Sequence, residues 1–393
     1  MTIIDTVKHF VCRSMILIFN CFPVKHHKIF LFSYYGSQYG CNPKSITEYL
    51  LSQYPKDRFD LVWAFNDPTS KTLPSGIRTV KTMTLRYFYE LCTAKVIITN
   101  FRTTDLFVKR KQQYYIQTWH SSLRLKQIEK DAEASLPQRY ITMAQKDSRK
   151  CDLLLSGCQR STEIFKRAFW YTGEIFEHGT PRNDMLVQGD PSKQAFIRDR
   201  LNVTGKNVVL YAPTFRKDGN MDVYDLDYDR LAKRLTDKYG GEWTILIKLH
   251  PHLMSQSDQI IQGDHVRDVT AYDDIQELLM VADVLISDYS SLIFDFSITK
   301  RPCFLYVPDL MDYRQKERAL YFDIEALPFP SAQSNQDLME TIMSFDEENY
   351  HRQMGAFLAE VGSYEDGRAA EHLAHRLEAI CVSEKRSEVY EAL

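Results

Sequence analysis

The sequence predicts an α/β fold of two Rossmann-like domains whose parallel sheets face a central cleft. Three observations predict it. Short, nearly continuous apolar runs alternate with polar helical stretches from Lys28 onward, the pattern of parallel strands buried on both faces. Hydroxyl, cationic and imidazole side chains fall just after those runs, where doubly wound sheets bind ligands. A polar stretch at 188–206, with the turn signals Gly-Asp-Pro-Ser-Lys and Asn-Val-Thr-Gly-Lys-Asn, separates two similar halves. A length of 393 residues fits two domains at roughly 150 residues each.

Residues 1–24 come first. Ile3, Ile4, Val7, Phe10, Val11, Met15, Ile18 and Phe22 recur at helical spacing, with Lys8, His9 and Arg13 off that stripe. The longest uninterrupted apolar stretch, Met15 to Phe19, is five residues. A membrane span needs about 20, and a secretory signal needs a longer apolar core with a small-residue cleavage site. The segment is read as a membrane-interfacial helix on an anionic leaflet. Packing on the protein's own core is the other reading.

Strands are expected at Ile29–Ser33, Leu61–Ala64, Val96–Thr99, Tyr114–Thr118, Leu153–Ser156 and Ile175–Glu177, with helices at Pro43–Gln53 and Leu85–Thr93. The second half repeats the scheme. Its strands are Val208–Tyr211, Thr244–Lys248, Val266–Val269, Val284–Ser287 and Cys303–Val307. Helices are expected near Tyr228–Tyr239, Ile275–Val281, Leu292–Thr299 and Leu338–Phe345, with a charged helical stretch from Glu347 to Leu393. The organisation is therefore 1–24, an N-terminal domain at 25–195 and a C-terminal domain at 196–393.

Composition narrows the function. Hydrophobic residues at 44% and charged residues at 26% are ordinary for a globular chain and exclude a disordered or collagen-like one. With 49 Lys+Arg against 52 Asp+Glu, the net charge of −3 argues against a general nucleic-acid binder. One small phosphorylated ligand needs only local cations. The 8 cysteines form no Cys-x-x-Cys pair and no zinc spacing, so they read as buried free thiols in a reducing compartment, and the protein as cytoplasmic.

Five motifs carry chemistry. Gln117-Thr118-Trp119-His120-Ser121-Ser122 places a histidine at a strand end, suited to general base work. Ser121 and Ser122 can cap a following helix and offer N–H groups to an anion. His178-Gly179-Thr180-Pro181-Arg182-Asn183-Asp184 offers Arg182 for phosphate or for tying the domains, and Asn183 or Asp184 as a cap. Tyr211-Ala212-Pro213-Thr214-Phe215-Arg216 ends in a hydroxyl and a guanidinium shaped for phosphate oxygens. Lys248-Leu249-His250-Pro251-His252 puts Lys248 and His250 on one face of a strand end; as a metal site, His250 with His252 is a weak signal. Ser287-Asp288-Tyr289-Ser290-Ser291 leads into a helix whose N-terminus can cradle phosphate, or simply be capped. Each motif also has a purely structural reading as a turn or cap.

Taken in order, these five motifs resemble the CDP-glycerol glycerophosphotransferase family, the teichoic-acid polymerases and primases. Lys300-Arg301-Pro302, Tyr306-Val307-Pro308-Asp309 and Arg318-Ala319-Leu320-Tyr321-Phe322-Asp323 continue the resemblance. It is strong over 114–323 and loose before. The first motif departs from the family's Trp-His-Gly-Thr-Pro, reading Trp119-His120-Ser121-Ser122-Leu123, and the family's Arg-Gly pair appears as Arg318-Ala319.

The resemblance implies a GT-B-like fold, with an acceptor domain followed by a CDP-donor domain. It implies transfer of a polyol phosphate, glycerol phosphate or ribitol phosphate, from a CDP-activated donor to a hydroxyl of a lipid-linked or polymeric acceptor. CMP is released, and the protein sits peripherally at the cytoplasmic face of the membrane. The implied catalytic residues are His120, as general base, and His250. The implied donor-phosphate residues are Arg216, Thr214, Lys248, Asp288, Ser290 and Ser291. Asp288 orients His250, a backbone group or a donor hydroxyl, and Arg182, Ser121 and Ser122 serve the acceptor or the loop. No cofactor is required and no metal cage is visible, although Mg²⁺ held loosely by the donor diphosphate is compatible. Two other readings stand beside this one: a GT-B glycosyltransferase using a nucleotide sugar, and a non-catalytic member of a polymer-assembly complex.

Overall fold

A computed structural model describes residues 3–216, 219–250, 253, 257–260, 263 and 265–382; Pro251 and His252 of the fourth motif lie outside them. The described chain forms two compact units.

The first unit holds residues 3–120, 128–184 and 364–382. Its sheet has seven strands: β1 (Lys25–Phe32), β2 (Asp60–Phe65), β3 (Ile77–Lys81), β4 (Ala94–Thr99), β5 (Tyr114–Gln117), β6 (Leu153–Leu155) and β7 (Glu174–Phe176). The order is β3-β2-β1-β4-β5-β6-β7, and every pair is parallel. The order reverses between β1 and β4, which makes their C-terminal ends the switch point. Ile29, Leu31, Trp63, Val96, Ile98 and Ile116 form one face of the core, and Leu373, Ala374 and Leu377 of the helix Ala369–Val382 cover it. That helix belongs with the first sheet because its apolar stripe is buried there, whereas the sequence reading gave it to the second domain.

The second unit holds residues 121–127 and 185–363. Its six strands are β8 (Asn207–Ala212), β9 (Trp243–Ile247), β10 (Val266–Asp268), β11 (Val284–Ser287), β12 (Cys303–Tyr306) and β13 (Ser331–Ala332). They lie parallel in the order β10-β9-β8-β11-β12-β13, so the switch point falls between β8 and β11. Residues 121–127 are the departure from a simple cut in the chain. They leave β5 of the first sheet yet pack with the second unit.

Local signals explain the helices. Thr84 caps Leu85–Thr93 by accepting from Tyr87 N, and Asp227 caps Tyr228–Tyr239, which Gly240 ends at φ 75°. The N-terminal helix Ile3–Phe19 packs on Leu85–Thr93 through Cys12, Ile16, Phe88 and Cys92. Phe10, Val11, Leu17 and Ile18 are exposed on its other side. At 100° per residue these four share one arc opposite Cys12 and Ile16. Both readings of the segment thus have a physical basis, since one face joins the core and the other is apolar and uncovered. Among the described residues no helix is long and apolar enough to cross a membrane. All eight cysteines are free, and Cys21 is exposed while the others are buried.

Candidate active site

The first motif sits at the first switch point. β5 ends at Gln117, and the chain turns sharply so that Trp119 has φ 50° and Ser121 φ 80°. Such left-handed backbone is strained for residues with a Cβ and needs support. Asn42 supplies it, donating to Thr118 O at 3.3 Å and Trp119 O at 3.2 Å, while Gln117 Oε1 accepts from Trp119 N at 2.9 Å. The turn leaves the His120 side chain exposed. Its ring stacks on Trp119 at 4.9 Å, and Nδ1 lies 3.3 Å from Asn100 O, just past β4. A carbonyl only accepts, so this contact places a proton on Nδ1; in the neutral ring Nε2 is then the basic nitrogen. Beneath the turn, Gln117 Nε2 donates to Tyr115 Oη, which reaches Asp147, and Asp147 with Glu129 flanks the fully buried Arg102.

The second motif lies in the same unit. Arg182 is buried; its backbone N donates to Asn42 Oδ1 at 3.0 Å and its Nη1 reaches Cys41 Sγ at 3.4 Å. Asn42 therefore ties the Arg182 loop to the His120 turn. Gly179 is at φ 83°, and a Cβ there would meet Glu365 Oε2 at 2.9 Å. That approach lets Glu365 accept from Thr180 N and Oγ1 and from Asn183 Nδ2. Asp184 caps a helix distant in sequence, accepting from Ala369 N at 3.0 Å and Ala370 N at 2.8 Å. Burial pushes its carboxyl up to about 6, against the two N–H donors.

Ser121 and Ser122 do not begin a helix. Ser122 N and Oγ both donate to Asp295 Oδ1, at 3.0 and 3.1 Å. Leu125 N donates to Ser291 Oγ at 3.2 Å. Gln127 N donates to Ala319 O and Tyr321 N to Leu125 O, so 125–127 runs antiparallel to 319–321. The tail of the first motif is thus fastened to the Ser290–Ser291 turn and to the Arg318 segment.

At the second switch point the third and fifth motifs meet. Asp288, after β11, accepts from Thr214 N at 2.9 Å and pairs with Arg216 at 3.0 Å. Among the groups the sequence left open for Asp288, the structure places a backbone N–H against it. Arg216 is also held by Asp309, with Nε–Oδ2 at 2.6 Å, and donates to Thr214 O and Oγ1 at 2.7 Å. Burial alone would lower its pKa, but the two carboxylates overcome this and raise it, so it stays charged. Tyr289 Oη donates to Asp309, and its ring stacks on Tyr313 at 3.5 Å. Arg216 is therefore engaged within the unit rather than extended toward solvent.

Lys248 is likewise engaged, donating to Thr270 O at 2.6 Å and Tyr272 O at 2.5 Å. Burial brings its pKa down to about 8. The lysine stitches β9 to the loop after β10, where alternation alone suggested an anion contact. His250 is exposed, with its ring 5.6 Å from Phe215. Ser290 Oγ accepts from Leu292 N at 3.4 Å, while Ser291, at the N-cap of the helix Leu292–Ser297, makes no side-chain cap and serves Leu125 instead. No group of His, Cys, Asp and Glu among the described residues is arranged to hold a metal ion.

Sequence reasoning missed Asn42, Gln117, Asp295, Asp309 and Tyr313. Each acts through a partner more than 70 residues away or through a backbone turn, which spacing does not reveal. Gln117 and Asp309 had a signal, since each stands in a quoted motif: Gln117 opens the first, and Asp309 ends Tyr306-Val307-Pro308-Asp309 directly after a strand.

Residues 14–379 match the family described as CDP-glycerol:poly(glycerophosphate) glycerophosphotransferase. The chain is 32% identical over 376 residues to a teichoic acid poly(glycerol phosphate) polymerase of Bacillus subtilis, covering 92% of this chain and 50% of that protein. It is 31% identical over 394 residues to a teichoic acid glycerol-phosphate transferase of Staphylococcus aureus, covering 95% of this chain and 99% of that one. The chain spans about half the length of the first of these relatives and nearly all of the second. Among solved structures, a variant of the wall teichoic acid polymerase TagF soaked with CDPG superposes with a TM-score of 0.83 at 28% identity, covering 97% of each chain. The fold is accordingly α/β and GT-B-like.

Proposed function

Because this chain belongs to the CDP-glycerol:poly(glycerophosphate) glycerophosphotransferase family, we propose that it moves a polyol phosphate from a CDP-activated donor to an acceptor hydroxyl. CMP leaves. Glycerol phosphate is the first choice of unit, ribitol phosphate the second, and the product is a teichoic-acid or capsule-type polymer. The observation that carries the reading is His120: exposed at the first switch point, with Nδ1 against the Asn100 carbonyl.

In this reading Nε2 takes the proton of the acceptor hydroxyl as its oxygen attacks the β-phosphorus of the donor. The bond to the CMP oxygen breaks, and CMP carries off the electron pair. Phosphoryl transfer depends mainly on positioning and charge stabilisation, so the strained turn under Trp119 matters as much as the imidazole. His250 serves the donor phosphates. Arg216, Asp288 and Thr214 shape the turn that receives the donor, and Lys248 fixes the loop beside it. Arg182 supports the His120 turn through Asn42. The acceptor is lipid-linked or polymeric, and the exposed Phe10, Val11, Leu17 and Ile18 suit a cytoplasmic leaflet surface. No resident cofactor is required; EDTA is expected to leave turnover unchanged, and a loss restored by Mg²⁺ overturns that part.

The test is chromatographic measurement of CMP released from CDP-glycerol, and separately from CDP-ribitol, with a membrane-extract acceptor. CMP release with either donor supports the reading and names the polyol. Silence with both, together with nucleoside diphosphate release from a nucleotide sugar, sinks it in favour of a glycosyltransferase.

A further inference from the structure

We propose that Lys126 and Arg318 of the second unit form an anion subsite that takes the diphosphate of the donor nucleotide. The proposal rests on the reading above and adds to it two cations outside the donor-site residues assigned so far. Lys126 lies on the segment fastened by Ser122–Asp295, Leu125–Ser291 and the antiparallel bonds to 319–321. That pairing brings Lys126 beside Leu320, two residues from Arg318. Both side chains are half-buried.

The neighbours of Lys126 leave its charge without a hydrogen-bonded counter-ion. Its Nζ lies over the Tyr313 ring at 5.2 Å, and Arg216 lies over the same ring at 5.1 Å. Asp288 is within electrostatic range, but its oxygens are committed to Thr214 N and Arg216. Glu317 is the other acidic group near enough to act, and Arg318 and Arg216 oppose it. Among the described residues neither Lys126 nor Arg318 has a carboxylate within ion-pair distance. An ammonium ordinarily finds such a partner when taken out of water. Here burial, with the two arginines, brings Lys126 down to about 8 despite Asp288.

An arriving diphosphate offsets the repulsion among these cations and gives the half-buried ammonium a counter-ion. It supplies charge-assisted hydrogen bonds to Nζ and to the guanidinium, and it screens the two cations from each other. The location agrees as well. The subsite adjoins the Ser290–Ser291 turn at the β8/β11 switch point, where doubly wound sheets receive nucleotides.

The experiment is isothermal titration calorimetry of the full chain with CDP, cytidine and inorganic pyrophosphate. Wild type is compared with Lys126→Met and Arg318→Gln. Losing a charged hydrogen bond is expected to weaken CDP and pyrophosphate roughly tenfold to hundredfold, while cytidine binding stays within twofold. Arg318→Gln, a half-exposed loop position, carries the test alone if Lys126→Met does not fold. Wild-type affinity for CDP and pyrophosphate in the folded variants overturns the subsite. An equal loss for cytidine also overturns it. If wild type binds pyrophosphate through these residues but no cytidine nucleotide, the subsite stands and the CDP-donor reading fails.

Discussion

In the first unit the turn after β5 is held by neutral amides, Asn42 and Gln117, with the charged cluster of Arg102, Asp147 and Glu129 buried beneath it. In the second unit the turn after β8 is held by the ion pairs of Arg216 with Asp288 and Asp309. The strand order around both switch points is the same. What differs is which group is left outward. Amide scaffolding at the first presents an exposed imidazole. Ionic scaffolding at the second presents a turn of backbone and hydroxyl groups, with the arginine spent on structure. In the proposed reading, one topology thus offers a proton acceptor in one unit and a ligand cradle in the other.

That contrast can be broken by substitution. The largest effect is expected from His120→Ala, which should lower CMP release by roughly 10²–10⁴-fold, the usual range for a lost general base. His120 is exposed, so folding should be unaffected; near wild-type turnover would remove the base from the account. Next is Arg216→Met, which strands the buried Asp288 and the partly buried Asp309. Denaturant unfolding should show a loss of about 3–5 kcal/mol, and a loss under about 1 kcal/mol would mean the second turn does not depend on its ion pairs.

A smaller effect is set by pH. Asp184 ionises in the folded first unit at about 6 rather than 3.8. The folded state therefore holds this proton more tightly. The stability it contributes is full below pH 3.8 and lost as pH rises through about 6. Asp184→Asn should flatten that segment of the stability curve, by about 2–3 kcal/mol relative to wild type. Parallel curves for the two proteins between pH 4 and 6.5 would contradict this.

The smallest concerns Ser121, at φ 80° with its buried Oγ lacking a hydrogen-bond partner. The family's usual residue there is glycine, which occupies this backbone region without strain. Ser121→Gly should stabilise the chain by roughly 1 kcal/mol, read as a rise in melting temperature. A fall would show that the hydroxyl has a role the turn does not explain.

Much of this fold was legible because its strands are buried on both faces. β4, β8 and β11 read as unbroken apolar runs, and their ends were placed within two residues. β3 was missed because Ile77–Lys81 is an edge strand, mostly half-exposed and carrying Arg78 and Lys81. β13 has two residues and leaves no pattern. Site positions were legible as motifs, but their bonding was not. Arg216 and Lys248 look like anion ligands in sequence because type and position suggest it; only the fold brings Asp309 to one and the carbonyls of Thr270 and Tyr272 to the other. Ser122 was read as a cap because serines often precede helices, yet its partner Asp295 is far along the chain.

The central claim is the division of work between the two turns, and CDP titration of His120→Ala beside Asp288→Asn tests it most directly. The account predicts that His120→Ala binds CDP within about threefold of wild type while its turnover is lost. It predicts that Asp288→Asn, which disturbs the Thr214 turn, weakens CDP by about tenfold or more. Equal loss of CDP affinity in both variants would contradict the account, because the donor would then depend on the imidazole assigned here to the acceptor.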